Sequence, residues 1–270
     1  MTVTPDASRF RGASSGSDRL GLQPLTARSV ILSVLLGTHP PLLPVRTLVR
    51  TTELFGITEG TTRVALSRLV SDREVVAEGS RYRLSERLVA RQRRLDEGRA
   101  PATRPWRGMW EMAVASPGVH SGIGRAALGR DLAALRLGEL QAGIWARPAN
   151  LRRDWPASLR DRVWRFEAKV PGRAAPRWRP AQARELAAGL WDLKGWASRA
   201  DALLAAFGAS DEPARRFVVA AAMVRHLQAD PLLPASMLPS RWPGASLRRA
   251  YAGYEQELGD LLRRERRRHE

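Results

Sequence analysis

The stretch from Gly56 to Val70, GITEGTTRVALSRLV, constrains the fold most, because it has the pattern of an amphipathic helix with a defined start. Thr58 is a favourable N-cap residue, and Glu59 places negative charge near the positive end of the helix dipole. Helical spacing predicts a core-facing set made of Ile57, Thr62, Leu66, Leu69 and Val70. The opposite face is predicted to expose Thr61, Arg63, Val64, Ser67 and Arg68.

The exposed face of this stretch carries side chains that suit contact with DNA. Arginine pairs with guanine edges or with phosphates, and a small apolar side chain such as Val64 can touch a thymine methyl group. Arg63 is the better candidate for base contact. Arg68 lies about 140° further around the helix, where we expect it to meet a phosphate or an acidic residue such as Glu53. A surface helix with solvated arginines would have the same pattern, so the flanking segments must decide between the two interpretations.

The flanking segments complete the pattern of a winged helix-turn-helix. Two helix-like segments precede the stretch, over 26–36 and 44–54, and a glycine then supplies a short turn. Two short strand-like runs follow it, joined by a turn at 78–81. Arg81 and Arg83 are expected near the tip of this hairpin, where they can contact phosphate or the minor groove. Three helices followed by a basic hairpin predict a DNA-binding winged helix.

The charge balance favours a polyanionic partner. A net charge of +18 and an isoelectric point near 11.6 are typical of nucleic-acid binding. The alternative is codon bias, because Lys169 and Lys194 are the only lysines, and a GC-rich genome raises the arginine content without any role in binding. The absence of cysteine excludes disulfides and cysteine-based metal sites. No apolar run approaches the roughly 20 residues of a membrane span and no secretory signal is recognisable, so we expect a cytoplasmic protein without a membrane partner.

The whole chain predicts an α+β protein that is mostly helical. Strand-like runs at 109–115, 139–146 and 163–170, with a helix over 123–137, indicate a small ferredoxin-like α+β sandwich. After it, the spacing predicts helices over 183–207, 217–227 and 245–262. The predicted divisions are a disordered leader (1–22), a winged-helix DNA-binding domain (23–97), a linker (98–108), a ferredoxin-like central domain (109–178), a helical C-terminal domain (179–262) and a basic tail (263–270).

Tryptophans in and beside the central domain allow two interpretations. Such residues are more often core aromatics than a ligand cage. An RNA-binding module would instead expose aromatic side chains on a sheet face, and the sequence does not tell whether Trp110 and Trp164 face outward. The tryptophans concerned are Trp110, Trp145, Trp155 and Trp164.

We find no pattern typical of an enzyme or of a cofactor site. The four histidines have no second ligand at metal spacing, so we expect no metal site. The run Gly122-Ile123-Gly124 is at most a fragment of a phosphate-binding loop, and such a helix start either binds an anion or simply makes a tight turn. Neither a complete phosphate-binding loop nor a nucleophile elbow is present. We therefore expect neither a catalytic residue nor a cofactor.

Several segments together resemble the PaaX-type transcriptional repressors of phenylacetate degradation. The stretch 56–70 is similar to the family pattern Gly-Ile-x-Glu-x-x-x-Arg-x-x-x-x-Arg-Leu-Val, and YRLSE is similar to the end of the family's wing. LQAGIWARP resembles the second central strand, and Trp191-Asp192-Leu193 matches a short signature. The most specific similarity is DPLLPASMLPSRWPG over 230–244, which matches a signature of the form DPxLPxxLLPxxWPG. The resemblance covers roughly residues 24–258.

The resemblance implies both an architecture and a function. It implies an N-terminal winged helix, a central ferredoxin-like domain similar to the CRISPR-associated Cas2 protein, and a helical C-terminal domain. It further implies a homodimer that represses transcription from a pseudo-palindromic double-stranded DNA operator. An aryl- or acyl-CoA effector, phenylacetyl-CoA in the founding cases, would release it from DNA.

Two segments depart from the family pattern. The first central strand ends in Ala115-Ser116-Pro117, without the carboxylate that a Cas2-like nuclease would use to hold a metal. We therefore discount nuclease activity, and a Cas2-like nucleic-acid-binding or nuclease protein is kept only as the alternative function. The helix before Asp230 reads VVAAAMVRHLQAD and lacks the more polar, His-Glu-containing version of the family. If that segment helps to form the effector pocket, the effector of this protein differs from the family's or is absent. The residues that bind the effector stay unknown.

Overall fold

The structure is a computed structural model that describes residues 20, 22–117, 122–169 and 180–267. It is mostly helical with two small antiparallel sheets, which confirms the predicted fold class. The helices are α1 (Ala27–Gly37), α2 (Val45–Glu53), α3 (Glu59–Ser71), α4 (Glu86–Arg99), α5 (Gly122–Ala134), α6 (Pro180–Leu190), α7 (Leu193–Gly208), α8 (Pro213–Gln228) and α9 (Gly244–Arg267). The strands are β1 (Leu42–Pro44), β2 (Val75–Glu78), β3 (Arg81–Leu84), β4 (Met109–Ala115), β5 (Gly138–Gln141), β6 (Ile144–Pro148) and β7 (Val163–Lys169).

The chain divides into two compact units. Unit 1 contains residues 1–99, 199–228 and 243–270, and unit 2 contains 100–198 and 229–242. Each unit therefore takes part of the C-terminal half of the chain. The domain boundaries expected from the sequence stay a prediction, and of the predicted leader only residues 20 and 22 are among those described.

The core of unit 1 joins its three N-terminal helices to the hairpin and to α4. Thr26 caps α1, because its side chain accepts a hydrogen bond from the Ser29 amide at 3.1 Å. Apolar residues at helical spacing then face inward, and burying each large aliphatic side chain contributes about 1.5–3 kcal/mol. The buried cluster consists of Ile31, Leu35, Leu36, Leu48, Leu66, Leu69, Val75, Leu84, Leu88 and Leu95. It holds α3 by one face against the rest of the unit.

The hairpin of unit 1 has a third strand, which the sequence did not predict. Residues 42 and 43 lie between the first two predicted helices and Pro44 begins the second, but the three residues form β1 and pair with β3, so that the strand order is β1-β3-β2. Pro44 lies on this edge strand, where its missing N–H removes no bond from the interior of the sheet. The same residue is the N-cap of α2, at the position where the second predicted helix begins.

The α4 helix continues to Arg99 and includes Gly98, which the prediction placed in the linker. A Cβ atom at Gly98 would lie 2.9 Å from the carbonyl oxygen of Leu227, so only glycine allows α4 to approach α8 this closely. On the same helix, the buried Gln92 amide donates to the carbonyl oxygens of Leu36 and Thr38 at 3.0 and 2.8 Å. These bonds satisfy carbonyl groups at the C-terminal end of α1.

Unit 2 is built on an antiparallel sheet with the order β5-β6-β4-β7. This is the order that a βαββαβ chain forms in a ferredoxin-like sheet. The predicted single strand over 139–146 is wrong, because a turn at Gly143, with φ 85°, splits it into the hairpin β5–β6. The crossover from β6 to β7 carries only a 3₁₀ turn at Ala157–Leu159 where a ferredoxin-like chain has a second helix. The ferredoxin-like assignment stays a prediction.

The sheet of unit 2 is covered on both faces. On one face Ala113 and Trp145 pack against Leu128 and Leu132 of α5. On the other, Trp110 packs against α6 and the start of α7. Trp110 and Trp145 are thus core residues, 4% and 3% exposed, and Trp155 is half-buried. Trp164, whose orientation the sequence left open, faces outward, because its side chain is 53% exposed on β7 at the edge of the sheet.

The C-terminal helices differ from their predicted bounds. The prediction of a single helix over 183–207 is wrong, because the helix is interrupted at Trp191-Asp192 and two helices, α6 and α7, form instead. The Asp192 carboxylate accepts a hydrogen bond from the Gly195 amide at 2.8 Å, which is the bonding of a helix start. The last helix continues to Arg267, so the predicted basic tail is helical up to that residue, and 268–270 lie outside the described residues.

A buried arginine holds the DPLLP segment to the sheet of unit 2. Arg147 on β6 is 0% exposed and donates to the carbonyl oxygens of Pro231 and Leu232 at 3.4 and 3.3 Å, and to Asn150 Oδ1 at 3.1 Å. Arg136 donates to the carbonyl oxygen of Asp230 at 2.9 Å. Burial, and secondly the charge of Arg153, lower the pKa of Arg147 from 12.5 to about 9. The most specific signature of the sequence therefore has a structural role.

Candidate nucleic-acid interface

One face of α3 is fixed to unit 1, as the sequence predicted. Thr58 caps the helix, and its hydroxyl accepts a hydrogen bond from the Thr61 amide at 3.3 Å. Thr62 is fully buried, and its hydroxyl lies 2.6 Å from that of Thr52, which ties α3 to α2. Leu66 and Leu69 are 1% and 0% exposed in the core. The orientation of the helix about its own axis is set by these contacts.

Val70 departs from the predicted core face, since it is 37% exposed. At about 100° per residue, Val70 lies about 80° around the helix from Thr62, whereas Leu66 and Leu69 lie within about 40° of it. It is therefore at the margin of the buried stripe. Ile57, which precedes the helix, is half-buried.

The opposite face of α3 is exposed. All five predicted DNA-contacting residues of this helix are exposed, and Val64 is 53% exposed. Arg63 forms an i,i+4 ion pair with Glu59 at 2.6 Å, with side chains 61% and 52% exposed. Such an exposed pair contributes only a few tenths of a kcal/mol, so Arg63 can exchange Glu59 for another partner at little cost. The exposed residues are Thr61, Arg63, Val64, Ser67 and Arg68.

The N-terminal end of α1 extends this exposed surface, which the sequence analysis missed. Thr26, Ala27 and Arg28 line a depression of about 230 Å³ together with the outer face of α3. Arg28 forms an ion pair with Glu74, which is largely buried and also accepts a hydrogen bond from Arg87 at 3.1 Å. A basic residue in the first turn of a helix is a recognisable signal, because it opposes the helix dipole.

The two arginines of the hairpin occupy different positions. Arg81 is exposed and follows the two-residue loop of Gly79 and Ser80, in which Gly79 has a φ of 59°. Arg83 lies two residues further along β3, half-buried, and its guanidinium is ion-paired with Glu78. Arg81 is therefore the residue at the tip. Arg83 is held by its own hairpin.

Acidic residues in the sheet of unit 2 are engaged by arginines. Glu111 on β4 is 6% exposed and lies 2.8 Å from Arg153 and 3.3 Å from Arg165, and its carboxylate also accepts a hydrogen bond from the Trp155 indole. At the end of β4, the Ser116 amide donates to a backbone carbonyl oxygen.

Within the described ranges, no group of histidine and carboxylate side chains could hold a metal ion. No helix of those ranges is long and apolar enough to span a bilayer.

Comparison with known proteins identifies the family. A model of the PaaX-like protein matches residues 26–88, and a model of the PaaX-like protein C-terminal domain matches residues 191–264. The chain belongs to the PaaX-like family. The solved structure of the uncharacterized protein Rv0674 from Mycobacterium tuberculosis is similar, with 44% identity and a TM-score of 0.72, over 88% of this chain and 98% of that one. A search of the curated proteins found no match.

The PaaX-like matches include both the exposed helix and the C-terminal signature. The first spans α1 to the first residues of α4, and the second spans α7 to most of α9 with the DPLLP segment. The PaaX-like family supports a role as a regulator.

Proposed function

We propose that this PaaX-like protein is a sequence-specific DNA-binding regulator in which α2 and α3 form a helix-turn-helix and the hairpin is its wing. The observation that carries the proposal is the asymmetry of α3. Its inner face is locked by Thr62, Leu66 and Leu69, whereas its outer face presents two arginines and an exposed valine without packing partners among the core clusters. A helix about 10–12 Å wide fits the major groove of B-DNA, which is about 12 Å wide.

The outer residues of α3 would have different roles in DNA recognition. Arg63, Val64 and Ser67 would face base edges, with Arg63 to guanine and Val64 to a thymine methyl group. Thr61 and Arg68 lie on the same exposed face and would contact the backbone or neighbouring bases. On the hairpin, Arg81 would reach a phosphate, and Arg83 would do so only after leaving Glu78.

The regulatory features expected of the family extend this proposal. We infer a cytoplasmic homodimer on a pseudo-palindromic operator, since a two-fold protein matches two half-sites. We further infer repression that an aryl- or acyl-CoA effector relieves, and no enzymatic activity. A Cas2-like nuclease has less support, because Ala115-Ser116-Pro117 supplies no carboxylate and Glu111 is engaged by arginines.

An electrophoretic mobility shift with the protein's own promoter region tests the proposal. The full-length protein should shift this DNA at physiological salt, and a scrambled duplex of equal length should compete far less well. Titration over a salt series separates phosphate contacts from base contacts. Equal affinity for promoter and scrambled DNA would refute sequence-specific binding.

A further inference from the structure

A cluster of three charged side chains lies beside α3 and is not among the DNA contacts proposed above. Glu74, in the turn between α3 and β2, forms ion pairs with Arg28 in the first turn of α1 and with Arg87 in the first turn of α4. Arg28 donates to one oxygen of the Glu74 carboxylate, and Arg87 donates to the other at 3.1 Å. We call these three residues the Glu74 cluster.

The position of Glu74 is fixed by its backbone. The Glu74 amide donates to the carbonyl oxygen of Leu69 at 2.9 Å, and the Glu74 carbonyl oxygen accepts a hydrogen bond from the Ser85 amide at 2.9 Å. The Glu74 side chain is only 13% exposed, whereas those of Arg28 and Arg87 are 49% and 70% exposed. The cluster therefore consists of one fixed acid that holds two arginines at the surface.

Each arginine of the cluster keeps hydrogen-bond donors for a second partner. A guanidinium group has five N–H donors, and it binds a phosphate through two of them in parallel. In both Arg28 and Arg87, one terminal nitrogen bonds to Glu74. A phosphate can thus be bound without breaking either ion pair. Arg83 differs, because its Nε and one terminal nitrogen both bond to its own hairpin.

The Glu74 cluster adjoins the outer face of α3 and carries an excess of positive charge. Arg28 lines the depression of about 230 Å³ together with Val64 and Arg68 of α3. Two arginines share the single carboxylate of Glu74, so one positive charge is not compensated within the cluster. Neither arginine is favourable for its own helix, because positive charge in a first turn opposes the helix dipole.

We propose that Arg28 and Arg87 contact DNA phosphates beside the outer face of α3, and that Glu74 is the positioning residue that holds both guanidinium groups toward them. This inference rests on the proposed function in taking α3 as the helix that enters the groove. Phosphate contacts set the register and orientation of a protein on the duplex but read no sequence. Holding two long side chains in place before binding lowers the entropy cost of immobilising them at the interface.

The sign of the effect of Glu74→Gln distinguishes positioning from simple electrostatics. Removal of a negative charge near a polyanion would by itself strengthen binding. Because Glu74 positions two arginines, Glu74→Gln should instead weaken binding to every duplex by about threefold to tenfold. Fluorescence anisotropy of a labelled promoter duplex, titrated with the full-length protein, measures the affinity.

The matched control for Glu74→Gln is Glu78→Gln. Glu78 is an exposed acid of the hairpin, with a side chain that is 47% exposed, and it also pairs with an arginine. Glu78→Gln should strengthen binding, because it removes a negative charge without releasing a residue that is held for the phosphates. Unchanged or tighter binding by the Glu74→Gln protein overturns the positioning role.

Removal of the two arginines tests the phosphate contacts. R28Q/R87Q should weaken binding to promoter and scrambled duplexes alike, and should reduce the magnitude of the negative slope of log K against log salt by about two. R93Q changes an exposed arginine of the same helix that lies about 9 Å along the axis from Arg87 and about 120° around it. R93Q should leave the slope unchanged. An unchanged slope in R28Q/R87Q overturns the inference.

The stability of the variants is controlled separately. R28Q/R87Q leaves the nearly buried Glu74 carboxylate unpaired, which destabilises the fold. The triple variant R28Q/E74Q/R87Q replaces all three charges by neutral amides and removes that penalty. Both variants should reduce the slope equally, and thermal unfolding establishes the temperatures at which each is folded. A cluster that only joins the helices would lower the unfolding temperature of R28Q/R87Q and leave the slope of both variants unchanged.

The same titrations separate this inference from the proposed function. Specific promoter binding with an unchanged slope in R28Q/R87Q overturns the inference alone. Equal affinity for promoter and scrambled DNA, with a slope that R28Q/R87Q reduces, overturns sequence-specific binding and leaves the phosphate contacts standing. A full-length protein that binds neither duplex overturns both.

Discussion

Arginines on α3 and arginines in the sheet of unit 2 carry the same charge in opposite surroundings. Arg63 has a side chain that is 61% exposed, and its ion pair with Glu59 is solvated. Arg147 is 0% exposed, and its guanidinium donates hydrogen bonds to carbonyl and amide oxygens of its own chain. The first can exchange its partner for an external anion, and the second cannot. The net charge of the chain therefore overstates the charge that is available to a polyanionic partner.

The largest expected effect is on stability and comes from substitution of the buried Arg147. Arg147→Met should lower the free energy of unfolding by about 3 kcal/mol or more, because several buried carbonyl groups lose their donor at about 1–3 kcal/mol each. Chemical denaturation measures this loss. The exposed Arg152 serves as a control, since Arg152→Gln should change stability by less than about 0.5 kcal/mol. Equal stability of both variants would show that the buried network is dispensable.

Two glycines extend the comparison to the backbone. Gly98→Ala should destabilise unit 1 by about 1–3 kcal/mol, because the added Cβ would lie 2.9 Å from the Leu227 carbonyl oxygen. Gly60→Ala on the open side of α3 meets no atom within 4 Å and should instead stabilise the helix by up to about 1 kcal/mol. Thermal unfolding of the two variants checks the opposite signs. A common sign would contradict the close approach of α4 and α8.

The exposed member of the comparison should affect binding rather than stability. Arg63→Ala should reduce discrimination at one base pair by about 1–3 kcal/mol, while the free energy of unfolding falls by only a few tenths of a kcal/mol. Binding to a library of operator variants, together with denaturation of the same protein, measures both quantities. A stability loss as large as that of Arg147→Met would show that Arg63 is structural.

The smallest effect is expected at the hairpin. Arg81→Ala should weaken binding to every sequence. It should also reduce the magnitude of the negative slope of log K against log salt by about one, because one phosphate contact is lost. Arg83→Ala should change that slope less, because Glu78 already engages its guanidinium. Glu78→Gln releases this arginine and should increase the magnitude of the negative slope. Identical slopes for the Arg81 and Arg83 variants would contradict the difference in position.

Much of the candidate interface could be predicted because it depends on local pattern. The faces of α3 follow from helical spacing. The Thr58 hydroxyl accepts a hydrogen bond from the Thr61 amide, and the Thr62 hydroxyl donates to the Thr58 carbonyl oxygen, so both bonds lie within about one turn of the helix. Val70 was mispredicted because spacing does not define how wide the buried stripe is. Strand β1 was missed because a three-residue strand containing proline is recognisable only through its partner, β3.

The sequence by itself determined the family, the mostly helical α+β class, the position of α3 and the identity of its exposed side chains. These properties are carried by spacings of a few residues and by motifs that fold alike wherever they occur. The tertiary structure alone decided which arginines are buried, because Arg147 meets carbonyl groups more than 80 residues away in the sequence. It also decided the position of a cavity of about 180 Å³ in unit 1, which is lined by α1, α4, α8 and α9 from both ends of the chain. Contacts between residues so distant in sequence leave no local pattern, and burial is a property of those contacts.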